Sequence, residues 1–110
     1  MPIESLFLLA KRLDGDVTHI LSRVDLDDVA AAVRERIRVL KRELTELRGD
    51  VHEYELAETR TEQRQLGVAA HRRLGDAEEH ILHLSQYNMF SPVEVAELSA
   101  HIDKLRQALA

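Results

Sequence analysis

Residues 26–54 read LDDVAAAVRERIRVLKRELTELRGDVHEY, and their apolar members recur in alternating steps of four and three: Leu26, Ala30, Val33, Ile37, Leu40, Leu44, Leu47, Val51 and Tyr54. Such steps put side chains on one stripe of an α-helix. Held without a slip over four heptads, the pattern is that of a coiled-coil seam, with Ala30, Ile37, Leu44 and Val51 at a positions and the others at d. Arg34, Lys41 and Arg48 then fall at e, beside the seam, where charge chooses a partner helix. The same phase continues into Glu58, Thr61 and Gln65, so the seam turns polar beyond Tyr54 while good helix formers persist.

A start signal precedes the stripe. Asp25 is placed as an N-cap, Asp28 occupies the capping-box position, and Val24 and Val29 match a hydrophobic staple. The spacing therefore predicts a long amphipathic helix over 25–66, with Gly49-Asp50 as the place where it can break, because Asp50 and Glu53 form a second capping-box pattern. Continuous, it would be about 60 Å long at ~1.5 Å per residue. A compact domain of this size has a radius of gyration of only ~13 Å, so the ridge is expected to need a second chain to cover it.

Around this helix the chain reads as all-α. A short N-terminal cap over 1–24 contains one helix with a stripe of Ile3, Leu6, Phe7, Ala10 and Leu13, ended by Asp14-Gly15-Asp16, and a further helical piece to Val24. Residues 68–88 carry Ala70, Leu74, Ala77, Ile81 and Leu84 at helical spacing, and 92–109 carry Val95, Leu98, Ile102, Leu105 and Leu109. Between them Ser91-Pro92-Val93-Glu94 combines an N-cap, a first-turn proline and a reciprocal glutamate, with Phe90 and Val95 as a staple. The short connection makes these two segments an antiparallel hairpin. The expected architecture is a single helical domain over 1–110: a helical bundle with one long heptad-patterned helix, an N-terminal cap and a C-terminal hairpin. Gly49-Asp50 and Gly75-Asp76 begin partly matching octets, which read as two helix starts rather than as a duplicated module.

Composition narrows the chemistry. The 110 residues include no Cys, 4 Gly and 2 Pro, too few turn formers for a sandwich or barrel and no thiol for a disulfide, a zinc thiolate site or a nucleophile. No apolar stretch is long enough for a bilayer, and Lys11 and Arg12 follow the first apolar run instead of preceding it as in a secretory signal, so a cytoplasmic location is expected. Arginine outnumbers lysine 12 to 3, the composition of a GC-rich, bacterial genome. The net charge is −5, distributed as −3 over 1–33, +2 over 34–75 and −4 over 76–110. Long-range electrostatics therefore oppose nucleic acid, although Arg34, Arg38 and Lys41 would be the contacts of a nucleic-acid accessory protein.

Six histidines are the one functional residue type in excess. His80 and His83, near Asp76 and Glu79, suggest an alternative metal- or ligand-binding bundle. Helical projection opposes it, setting Glu79 and His83 on the solvent side and Glu97 and His101 on the far flank of the last helix. The sequence also contains no Glu-x-x-His pair of the di-iron kind. Arg48-Gly49-Asp50 spells an adhesion tripeptide by chance. No nucleophile with a placed base, glycine-rich phosphate loop or inward carboxylate pair is evident, so neither a catalytic residue nor a cofactor is assigned.

The expected function is assembly: a small scaffold or adaptor without catalysis, acting as a homodimer or other homo-oligomer or through a protein partner with an acidic surface. Its interface would be Leu26, Val33, Ile37, Leu40, Leu44, Leu47, Val51 and Tyr54, with Arg34, Lys41 and Arg48 setting orientation. A parallel self-pair would oppose Arg36 to Lys41 and Asp50 to Glu55, so the charges favour an antiparallel arrangement.

Overall fold

The computed structural model describes residues 5–109. Ser5 caps the first helix, its hydroxyl accepting from the Phe7 N–H at 3.2 Å, and α1 then runs from Leu6 to Leu21 without interruption. The expected stop at Asp14-Gly15-Asp16 is therefore corrected. Gly15 is not left-handed, and Leu9, Leu13, Val17 and Leu21 form one buried stripe in steps of four through it. Ile3, part of the stripe first expected, lies outside the described residues.

Asp25 does cap, but what it caps is a single 3-10 turn over Leu26–Asp28, with its carboxylate accepting from Asp27 instead of Asp28. The long helix α2 begins later, at Ala31, and ends at Leu56. It passes through Gly49 and Asp50 as a regular helix, so the capping pattern there is not used. The expected helix over 25–66 breaks instead at Ala57-Glu58-Thr59, where Ala57 is extended and the Thr59 hydroxyl accepts from Glu62 N–H at 3.2 Å. Thr59-Arg60-Thr61-Glu62 is a Ser/Thr-x-x-Glu start signal lying where the seam turns polar.

Helix α3 follows from Arg60 to Ser85, and the shorter segment expected over 68–88 is its C-terminal part. Gly75 and Asp76 lie inside α3, so neither Gly-Asp pair starts a helix. The last helix, α4, runs from Pro92 to Ala108 behind the expected capping box: Ser91 N–H donates to Glu94 at 2.9 Å and Glu94 N–H donates to Ser91 Oγ at 3.1 Å.

Cross-helix pairs fix the topology. Ser5 and Asp14 of the α1 side meet Glu55 and Arg48, His80 and Arg73 of α3 meet Arg36 and Asp50, Glu78 meets Arg106, and Asp16 and Arg23 meet His101 and Glu94. Each helix thus runs antiparallel to the next, and α4 closes back antiparallel on α1. The result is an all-α, four-helix bundle with no strand among the described residues.

Both α2 and α3 have 26 residues, so the ridge of α2 finds a companion of equal length within its own chain. Val33, Ile37, Leu40, Leu44, Leu47 and Val51 are buried against Ala70, Leu74, Ala77, Ile81 and Leu84 of α3, together with the stripes of α1 and α4. The break at residues 57–59 is what converts a rod into a bundle measuring 47 × 29 × 17 Å. The six apolar seam residues that pointed to a partner are core residues of this bundle.

Candidate functional site

At one end of the bundle the α1–α2 connection faces the α3–α4 connection. The second of these is shaped by a Schellman motif: Met89 N–H bonds to Leu84 C=O at 3.4 Å and Asn88 N–H to Ser85 C=O at 3.1 Å, with Asn88 left-handed at φ 61°. This turn drops Phe90 into the core and leaves Tyr87 53% exposed on the rim. On the opposite wall, the short turn at Leu26–Asp28 carries Val24 and Val29 inward, half-buried, while Leu26 stays exposed.

Between the walls lies an open cleft of about 1000 Å³ whose apolar lining includes Ile20, Val24, Val29, Met89 and Val95. Val93, beside it at the start of α4, is 66% exposed. One clamp ties the walls together. Arg23 Nη2 donates to both oxygens of Glu94, at 3.0 and 2.9 Å, and Arg23 Nε donates to Ile20 C=O at 3.1 Å. Glu94 also accepts from Ser91 N–H, and that bond, followed by the Arg23 guanidinium, holds its carboxyl below the usual carboxylate range.

With Arg23 and Glu94 neutralising each other, Asp25 and Asp28 leave the cleft lining negative. Asp27 and Asp28 make no ion pair among the described residues. The site is an apolar recess with an unneutralised acidic edge, suited to a ligand that is greasy on one face and cationic at its margin.

The residues singled out in the sequence lie elsewhere. Leu26 is exposed on the 3-10 turn near the cleft, Ala30 is exposed just ahead of α2, Val33, Ile37, Leu40, Leu44, Leu47 and Val51 are in the core, and Tyr54 is half-buried at the opposite end against Gly67. Arg34 donates to the carbonyls of Leu26 and Val29 at 3.0 and 3.4 Å, closing the α1–α2 connection. Arg48 pairs with Asp14 at 2.9 Å and lies 5.9 Å from the Phe7 ring centroid. Lys41 makes no ion pair among the described residues. The basic stripe is thus largely spent inside the chain, with Arg38 on Glu35 at 3.0 Å and Arg36 on His80.

That last contact bears on the metal alternative. His80 Nδ1 lies 3.1 Å from Arg36 Nη1, and a guanidinium can only donate, so Nδ1 accepts and its lone pair is occupied. Burial, then the Arg36 charge, lowers the His80 pKa below the ordinary histidine value. His83 stacks near Tyr87 with centroids 6.2 Å apart, and no group of three or more metal-ligating side chains is gathered among the described residues. His101 departs from the helical projection: it is turned toward α1, with Nδ1 3.8 Å from Asp16, rather than toward the far flank.

Sequence reasoning missed the cleft because it placed residues 25–30 inside the long helix. The signals that would have found it were Thr59-x-x-Glu62, which shortens that helix at its other end, and the apolar cluster Met89-Phe90 following Asn88. No family model, curated protein or solved structure matches the chain.

Proposed function

We propose that this chain is a small helical interaction module, non-catalytic, whose working surface is the cleft between the α1–α2 and α3–α4 connections. The observation that carries the reading is the combination of exposed Tyr87 and Val93 and the recess floored by Met89 and Phe90 with the unneutralised Asp25, Asp27 and Asp28. An aromatic beside an apolar recess is the usual anchor of a binding surface, and the acids select the partner by charge. The fitting occupant is a basic amphipathic segment of another polypeptide, laying its apolar face on Val24, Val29 and Val95 and its cations along the aspartates. Of the cations that suggested an acidic partner, Arg48 is engaged with Asp14 and Arg34 with backbone carbonyls, which leaves Lys41 alone without an ion pair or side-chain hydrogen bond among the described residues.

Titration of the ¹⁵N-labelled protein with synthetic amphipathic peptides of identical apolar face and either Lys or Glu on the polar face tests this. The cationic peptide is expected to shift the resonances of 20–29 and 87–95, and Asp28→Lys or Tyr87→Ala to weaken it severalfold. Equal binding of both peptides, or shifts confined to other surfaces, overturns the reading. Sedimentation of the unliganded protein separates a second copy as occupant, which would appear as mass rising with concentration.

A further inference from the structure

We propose that the opposite end of the bundle, where α3 begins, is a second and independent site, built to bind a small phosphorylated molecule. Arg60, Arg64 and His71 lie along one face of α3 and line a groove of about 470 Å³ with Tyr54 of α2 and Leu109 beyond α4. Gly67 shares that face. It lies beneath the Tyr54 ring at the floor of the groove: a Cβ there would meet Tyr54 Cε2 at 3.4 Å and the Leu109 carbonyl oxygen at 3.5 Å, both ordinary contacts.

Among the described residues, none that lines the groove is acidic. Arg23, Arg34, Arg36, Arg48, Arg73 and Arg106 each have an acceptor within the fold, whereas Arg60, Arg64 and His71 have neither an ion pair nor a side-chain hydrogen bond among the described residues; Arg42 and Arg72 share that lack, but neither lines this groove. Their placement is costly to the free protein. Like charges four apart on a helix repel. Cations in the first turns of a helix also oppose its macrodipole. Both penalties are relieved by the same event, arrival of an anion between the two guanidinium groups.

The chemistry favours phosphate over a carboxylate. A phosphate offers three acceptor oxygens and close to two negative charges at neutral pH, enough to engage both arginine forks together. Tyr54, Leu109 and the exposed Val68 supply an apolar margin, so the rest of the ligand is uncharged and apolar.

Calorimetric titration at constant ionic strength with inorganic phosphate, phenyl phosphate and phenylacetate separates these elements. Phenyl phosphate is expected to bind tightest, inorganic phosphate next and phenylacetate weakest, and Arg60→Gln or Arg64→Gln to lower phenyl phosphate affinity about tenfold each. The same substitutions should leave the unliganded protein equally or more resistant to urea, because they remove repulsion. A merely structural role would lower that resistance. Phosphate binding no stronger than chloride, affinity unchanged in the Arg60→Gln/Arg64→Gln protein, or destabilisation of the unliganded variants overturns the proposal. Peptide binding at the cleft is unaffected by any of these outcomes.

Discussion

Gly15 and Gly49 sit inside α1 and α2 with nothing beyond the local helix backbone within 4 Å of where a Cβ would stand, and neither has a positive φ. Each therefore contributes unfolded-chain entropy and nothing that requires a glycine. Gly15→Ala and Gly49→Ala are each expected to stabilise the protein by about 0.5–1 kcal/mol, read as an increase in urea midpoint at unchanged m-value. A left-handed cap at either site would reverse the sign. A glycine followed by aspartate carries the same local signal whether a helix ends there or passes through, and only the buried stripe on both sides decides. Leu9, Leu13, Val17 and Leu21 held that information, but a stripe drawn through Ile3 and Phe7 hid it. His80 supplies a second prediction at this scale. Its neighbours across and along the helices are Arg36, Asp76, Glu79 and Glu43, and burial and Arg36 outweigh the acids to depress its pKa. The neutral form is therefore favoured by folding. That stability is present above the unfolded value of about 6.5 and is lost as pH falls from there through the lower folded value. Urea unfolding at about pH 8 and about pH 5.5 should show a smaller loss in His80→Asn than in the parent, and an equal loss would remove His80 from the account.

Pairs between helices set the register of the elements. Asp14, on the inner side of α1, is the buried charged side chain of the core, and it is held by Arg48 at 2.9 Å and by Thr18 Oγ1 at 3.4 Å. Removing Arg48 leaves a carboxylate with little solvent and half its partners. Arg48→Met is expected to cost about 1–3 kcal/mol, below the cost of breaking a fully buried pair because the arginine side chain keeps 35% of its exposure. Asp14→Leu/Arg48→Met should recover most of that loss, since replacing both partners with apolar groups removes the stranded charge. A double variant as unstable as the single would show that the pair does more than neutralise itself. Arg73 plays the corresponding part between α2 and α3, reaching Asp50 at 2.5 Å, Glu46, and Glu43 at 3.6 Å. Asp50 is thus an α3 partner, not a cap, and its three-residue spacing to Glu53 was a false start signal. The genuine one, at Thr59 and Glu62, was masked by a heptad phase that polar residues can continue at no cost to the count. Periodicity identifies a face and says little about where a helix stops. The box at Ser91 and Glu94 was legible because proline at the first helical position leaves no competing register.

For the whole molecule, the decisive quantity is how much of the α2 ridge the chain covers by itself. Leu40, Leu44, Leu47 and Val51 have no exposed surface in a single copy, and Val33 retains only 7%. Heptad spacing is the same for a helix paired with another chain and for one paired with the next helix of its own, so the sequence distinguished burial from exposure but not self from partner. What distinguishes them is the length of α3, which follows from the break at residues 57–59. Because the apolar stripe is satisfied internally, folding should not depend on association. The urea midpoint is expected to stay constant over a hundredfold range of protein concentration, whereas an obligate dimer would gain stability as concentration rises. Leu40→Ala should then lower stability by about 2–5 kcal/mol through the cavity it leaves, equally at every concentration. Leu40→Asp, which buries a charge with no partner, should unfold the chain outright and yield an expanded monomer. A folded Leu40→Asp monomer, released from a larger species of the parent protein, would mean that the seam faces another copy and that the helices pair across chains.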